Sequence, residues 1–233
     1  NQIRDRLAEN VAEVRGRIAA AASSSGRRSE EVELVAVTKY VGVETVELLV
    51  QAGATLLGES RPQQLWPKAE ALAERSVRWH LIGHLQRNKV NKAVLLFDMI
   101  ESLDSPRLAR KINQSCEREG ITMPVLIEIN SGRESSKTGV LPADTPSLAR
   151  LVDELPHLHL QGLMTMGPRF GDPDDARPYF KATKTLMDEL AGMDLPNSEM
   201  KYLSMGMSNS YRTALEEGAN IIRIGTGIFG PRT

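Results

Sequence analysis

The sequence predicts an α/β fold, a single (β/α)8 TIM barrel over residues 1–233 with one extra N-terminal helix. Three observations predict it. Short apolar runs recur near 33–38, 54–57, 78–82, 96–100, 123–129, 158–164, 200–204 and 220–224. Helix-like stretches, such as 44–52, 60–74, 105–119 and 174–192, lie between them. Parallel strands need long crossover connections, and eight strand–helix units fit the ~250 residues typical of such a barrel. A doubly wound open sheet is the structural rival. It would carry a Gly-x-Gly-x-x-Gly turn after the first strand if it bound a dinucleotide, and the first run ends instead in Thr38-Lys39-Tyr40.

Each element has its own local reason. Ile3, Leu7, Val11, Val14 and Ile18 recur at spacings of three and four, which makes 2–22 an amphipathic helix. Ser23-Ser24-Ser25-Gly26 stops it. Leu34-Val35-Ala36-Val37-Thr38-Lys39 is the first strand, the second ends at Gly58-Glu59-Ser60, and the third at His80-Leu81-Ile82-Gly83-His84. Ser105-Pro106 supplies an N-cap and a first-turn proline, with Gly120 just past the other end of that helix. Asp172-Pro173 opens the long segment that ends near Gly192, while Gly53 and Gly218 each close a helix before a strand. Strand seven ends at Ser204-Met205-Gly206-Met207-Ser208 and strand eight at Arg223-Ile224-Gly225-Thr226-Gly227. No linker or low-complexity segment interrupts the pattern, so one domain is expected.

Composition narrows the function classes. Hydrophobic residues make up 41% and charged residues 25%, ordinary for a soluble globular chain. The 29 basic and 30 acidic residues form no long run of one sign, which argues against a broad nucleic-acid or membrane footprint. No apolar run is long enough to span a bilayer, and the N-terminal arginines lie in an amphipathic helix without a signal-peptide core. A cytoplasmic protein is expected. The single cysteine, Cys116, follows Leu108 and Ile112 at helical spacing and reads as a small core residue.

The chemistry is sought at the C-terminal strand ends, where barrels of this kind carry their sites. Met205-Gly206-Met207-Ser208 turns from a strand into a helix and offers backbone N–H groups and a hydroxyl. Gly225-Thr226-Gly227 permits close backbone approach and adds a second hydroxyl. Phosphate sites in barrels frequently use the loops after strands seven and eight. Arg223, inside an apolar strand, is costly to bury unless paired. Two readings stand side by side: an ion pair with a carboxylate in the barrel, or contact with the ring nitrogen of a cofactor. A lysine at a strand end ordinarily points into water. In an apolar mouth, however, desolvation lowers its pKa and frees the amine to attack an aldehyde. Lysine, phosphate loops and a ring-nitrogen arginine together describe pyridoxal 5′-phosphate.

Those residues also resemble a known family. Ala36-Val37-Thr38-Lys39, Leu57-Gly58-Glu59 and Trp79-His80-Leu81-Ile82-Gly83-His84-Leu85-Gln86-Arg87-Asn88-Lys89 are similar to motifs of the pyridoxal-phosphate homeostasis protein family, also called the proline-synthetase co-transcribed homologue family. So are Ser136-Lys137-Thr138-Gly139, Leu160-Gln161-Gly162-Leu163-Met164, Ser204–Ser208 and Arg223–Gly230. The resemblance implies a barrel like the N-terminal domain of alanine racemase, with pyridoxal phosphate (vitamin B6) on Lys39 as a Schiff base. It implies that Ser208 with Gly225 and Thr226 holds the phosphate; Met205 and Gly206 are expected at the cofactor site from the strand-seven turn they form. It further implies that Arg223 faces the pyridine nitrogen and that His80 lines the pocket. One departure is visible: many relatives have asparagine after Gly-Glu, and this chain has Ser60, which lacks the amide.

The family is regarded as holding the cofactor for buffering or delivery without established turnover. Alanine racemase needs a second domain that supplies a tyrosine opposite the lysine, and here the sequence closes three residues after Gly230. Tyr40 stands beside the lysine instead. The expectation is therefore a monomeric cofactor carrier, not an enzyme, with apo-enzymes that use pyridoxal phosphate as recipients. The alternatives are a small racemase-like enzyme using the same lysine, and a cofactor-free Schiff-base aldolase. His80 and His84 are four apart, but Gly83 and the strand before it spoil a helical metal pair. Lys137 reads as a solvated loop lysine or as a temporary acceptor of the aldehyde.

Overall fold

The structure, a computed structural model, describes residues 2–167 and 171–230. A 23-residue helix, α1 (Gln2–Ser24), comes first. Its Leu7, Val11, Val14 and Ile18 are buried as their spacing requires, against α2 (Val43–Gln51) and the last two helices, α8 (Tyr211–Glu216) and α9 (Thr226–Phe229). Each such side chain contributes about 1.5–3 kcal/mol over its exposed state. Ile3 departs from the stripe and is exposed, one turn before the helix meets the barrel.

Eight parallel strands close into a barrel in chain order. They are β1 (Glu33–Val37), β2 (Leu56–Glu59), β3 (Arg78–Leu81), β4 (Met99–Leu103), β5 (Met123–Ile129), β6 (Leu158–Thr165), β7 (Tyr202–Ser204) and β8 (Ile221–Ile224). Between them run α3 (Pro62–Ala71), α4 (Val90–Leu96), α5 (Pro106–Glu119), α6 (Thr145–Glu154) and α7 (Arg177–Ala191). Ser105 caps α5 by accepting from the Leu108 N–H at 3.2 Å, and Gly120 ends it with φ +67°. Cys116 is wholly buried on α5, and burial pushes its thiol up to about 11. No helix among the described residues is long and apolar enough to cross a membrane.

One strand falls elsewhere than expected. The apolar run 96–100 was the sequence's fourth strand, but Leu96 ends α4 and Phe97 packs into the outer core. The strand is Met99–Leu103, which brings Glu101 and Ser102 into the barrel wall.

Strand pleating then sorts the interior into layers. Val35, Leu56, Met99, Leu126, Met164 and Ile221 form an apolar cluster separate from the outer core, with one residue from each of six strands. Two residues further along those strands, and so on the same face, come Val37, Gly58, Glu101, Glu128 and Arg223. Ser204 follows Tyr202 in the same way, and His80 stands beside Gly58 in register. The barrel floor is apolar and its middle is charged.

Candidate functional site

The β1 end is braced from outside the barrel. Thr38 donates its hydroxyl to Glu59 Oε1 at 2.7 Å, and the Thr38 carbonyl accepts from Lys68 Nζ at 2.8 Å. Lys68 also forms a buried ion pair with Glu59. Removing one partner of such a pair costs about 3–5 kcal/mol, so Thr38 is held firmly and Lys39 follows it. Its parity with Val35 and Val37 directs Lys39 to the barrel mouth. The residue is half-buried, and Nζ stands 4.9 Å from the centroid of the exposed Tyr40 ring.

Lys39 lines a cavity of about 750 Å³, a volume within the usual range for small-molecule sites. Val37, Val41, Ile82, Met166 and Phe229 give it apolar walls. Ser208, Asn209, Gly225 and Thr226 supply hydroxyls, an amide and exposed backbone on one side, and Arg223 lines it as well. The two glycine-bearing loops are tied together, since the Gly227 N–H donates to Ser208 Oγ at 3.1 Å.

Arg223 is almost fully buried and satisfied by the charged layer. Its Nη1 donates to Ser204 Oγ at 2.6 Å and lies 4.0 Å from Glu101 Oε2. Its Nη2 donates to the Thr165 carbonyl at 3.0 Å. Ser204 in turn donates its hydroxyl to Glu101 Oε2 at 2.6 Å, while Glu101 Oε1 meets His80 Nδ1 at 2.7 Å. Burial alone would raise the Glu101 carboxyl, but the His80 and Ser204 contacts and the Arg223 charge outweigh it and hold it below the ordinary range. Desolvation pulls the guanidinium down, with Glu101 and Glu128 acting against that. Of the two sequence readings of Arg223, the ion pair with a barrel carboxylate is present, to Glu101, and the side chain also lines the cavity.

Four of the expected site residues do not line this cavity. His80 is buried one layer below, turned toward Glu101. Ser60, just past the end of β2, lines a different cavity of about 500 Å³ with Arg61, Gly83 and His84. Met205 is wholly buried in the outer core. Gly206 serves the turn: its φ is +99°, and a Cβ there would come within 2.7 Å of the Ala214 Cβ. Its carbonyl accepts from the Arg223 N–H at 3.1 Å, which joins the strand-seven loop to β8. The helix after that loop begins at Tyr211, three residues later than expected. Lys137 is bonded to Glu134 Oε1 at 3.0 Å and to the Gly167 carbonyl at 3.4 Å, outside the cavity lining.

Sequence reasoning missed Glu101, Glu128, Lys68 and Asn209. Glu101 was hidden by the misplaced fourth strand. Lys68 had a signal: Pro62, Leu65 and Lys68 share one helix face, and a glutamate ending an apolar strand requires a cation.

The residues present fit a phosphorylated pyridine aldehyde. An amine stands at the mouth, a buried guanidinium donates at depth, and hydroxyls with N–H groups lie at the strand-seven and strand-eight ends. Gly225 leaves open the space that a Cβ would take against Val37, 3.5 Å from its Cβ.

Residues 4–233 match the family model described as alanine racemase, N-terminal domain. The chain is 39% identical over 224 residues to the pyridoxal phosphate homeostasis protein of Aquifex aeolicus, covering 96% of this chain and 97% of that one. It is similar to PipY of Synechococcus elongatus PCC7942, a structure solved with PLP bound, at 30% identity and TM-score 0.84. That match covers 96% of this chain and all of PipY. An alanine racemase of Clostridium difficile shares the fold at 16% identity and TM-score 0.77, with 98% of this chain covering 57% of that enzyme.

Proposed function

The chain belongs to the pyridoxal phosphate homeostasis protein family, within the alanine racemase N-terminal domain family, and on that premise we propose that it binds pyridoxal 5′-phosphate to buffer or deliver it. One observation carries the site: Lys39, Arg223, Ser208 and Thr226 converge on a single cavity. In this reading Lys39 is the covalent tether. Ser208, Thr226 and the backbone around Gly225 bind the phosphate, and Arg223 is the partner of the ring nitrogen. The bound cofactor supplies an aldehyde and an electron-withdrawing ring.

The surrounding residues favour storage over turnover. A guanidinium hardly deprotonates and offers only donors, so Arg223 leaves the ring nitrogen unprotonated and the ring a poorer electron sink. Proton abstraction needs a positioned acid or base. Among the described residues, Tyr40 is the one phenol lining the cavity, and it stacks beside the lysine on the same strand end. Cytoplasmic apo-enzymes that need the cofactor are the recipients in this account, and the carrier acts as a monomer.

Absorbance separates the readings. Protein equilibrated with pyridoxal phosphate and desalted is expected to keep a visible band that Lys39→Ala loses. A colourless protein, or a band unchanged in Lys39→Ala, overturns the tether. The racemase-like alternative predicts α-proton exchange of amino acids over many turnovers by the loaded protein, and the carrier reading predicts none beyond the bound equivalent.

A further inference from the structure

The segment Gln86-Arg87-Asn88-Lys89 carries much of the sequence resemblance, yet none of its residues lines the Lys39 cavity. Arg87 and Asn88 instead form one wall of a separate concavity of about 690 Å³, outside the barrel. The other wall is a single face of α5, made of Arg107, Arg110, Lys111 and Gln114.

That wall is costly to build. Positions 107, 110, 111 and 114 are three and four apart, so the cations are neighbours, and like charges at this spacing destabilise a helix. The first turn of α5 contains no acidic residue, and Arg107 sits there against the positive end of the helix dipole. A surface helix would ordinarily offset such a stripe with carboxylates. Among the described residues, Arg87, Arg107, Arg110 and Lys111 form no ion pair with any of them. Arg87 then adds a fourth cation from a different element, where a surface selected only for solubility would spread its charges.

We propose that this concavity is a second binding site, for a small polyanion carrying two or more linked phosphoryl groups. Three guanidinium forks match phosphate oxygens bidentately, and Lys111 adds a compact point charge. Four positive charges that pair with no carboxylate among the described residues, gathered in one open concavity, call for a ligand of comparable negative charge. Asn88 and Gln114 offer neutral amides that can fix its orientation. No aromatic side chain lines the site, so it lacks the stacking platform that single-stranded nucleic acid uses. It also lacks the apolar pocket that anchors a peptide. The site lies apart from the Lys39 cavity and does not depend on what that cavity binds.

The probe is inorganic tripolyphosphate, titrated calorimetrically into the full chain saturated with pyridoxal phosphate. Saturable binding is expected, weakening as salt rises, and at least tenfold weaker in the double variant Arg107→Ser/Arg110→Ser. The visible band of the loaded protein is expected to stay the same in that variant. If the double variant does not fold, Arg87→Gln, on the opposite wall, makes the same comparison. No binding by the unaltered chain overturns the proposal. So does equal affinity in the variants, equal competition by sulfate at matched ionic strength, or binding of an RNA oligonucleotide through these residues with none of tripolyphosphate.

Discussion

Replacing Glu128 with glutamine tests the charged middle layer of the barrel through its pH dependence. Glu128 is 4% exposed. Burial raises its carboxyl from the ordinary 4.5 to about 7, with Asp104 adding to the rise, while the Thr138 hydroxyl and Arg223 oppose it. A tenfold change in proton affinity is worth about 1.4 kcal/mol, so ionising Glu128 in the folded chain costs about 3 kcal/mol relative to the unfolded one. Well below pH 4.5 the carboxyl is protonated in both states and nothing differs. As pH rises toward 7 the unfolded carboxyl ionises first, and stability falls; above pH 7 the loss is complete. Glutamine keeps an oxygen for Thr138 and removes the ionisation. Glu128→Gln is therefore expected to gain about 2–3 kcal/mol over the parent chain between pH 5 and pH 8.5, roughly 5–10 °C in Tm for a chain of this size. Urea unfolding of both proteins at the two pH values measures it. A variant-to-parent difference that stays the same at pH 5 and pH 8.5 would refute the reasoning.

The other perturbations act on packing and on the cavity. Glu101→Ala removes the acceptor shared by His80 and Ser204 and the carboxylate nearest Arg223, and it is expected to cost about 3–5 kcal/mol in urea unfolding. An unchanged midpoint would contradict the layer's structural role. Gly162 has φ +143°, and a Cβ there would fall 1.8 Å from the Tyr202 carbonyl oxygen across the β6–β7 seam. Gly162→Ala is expected to lose at least about 3 kcal/mol in thermal unfolding; a native-like melt would show that the seam yields. Ser208→Ala removes the hydroxyl proposed to donate to the phosphate while it accepts from the Gly227 N–H; losing one such hydrogen bond costs about 1 kcal/mol, so pyridoxal phosphate should be held roughly fivefold more weakly in a spectrophotometric titration. Equal retention would place the phosphate away from that hydroxyl.

The barrel was legible because period and punctuation agreed. Apolar runs alternated with capped helices, and Ser105-Pro106 and Gly120 marked α5 to the residue. The fourth strand was not legible because its wall carries Glu101 and Ser102, and polar residues inside a barrel break the apolar run that defines a strand. The nearby signal was the helix start itself, since a helix capped at Ser105 requires the preceding strand to end just before Asp104. At the mouth, Lys39, Ser208, Arg223, Gly225 and Thr226 could be placed from strand ends alone, and they share one cavity. Ser60, His80 and Met205 could not, because which side of a strand end a residue faces depends on register, and a shift of one residue reverses it. Glu128 meets Asp104 and Arg223 only once the barrel closes, and no local pattern announces it.

Trapping the tether tests the central claim most directly. Protein loaded with pyridoxal phosphate, reduced with borohydride, digested and mapped by mass spectrometry should carry one pyridoxyl group on the peptide containing Lys39. Label absent from that peptide, or spread over surface lysines such as Lys137, would contradict Lys39 as the covalent anchor.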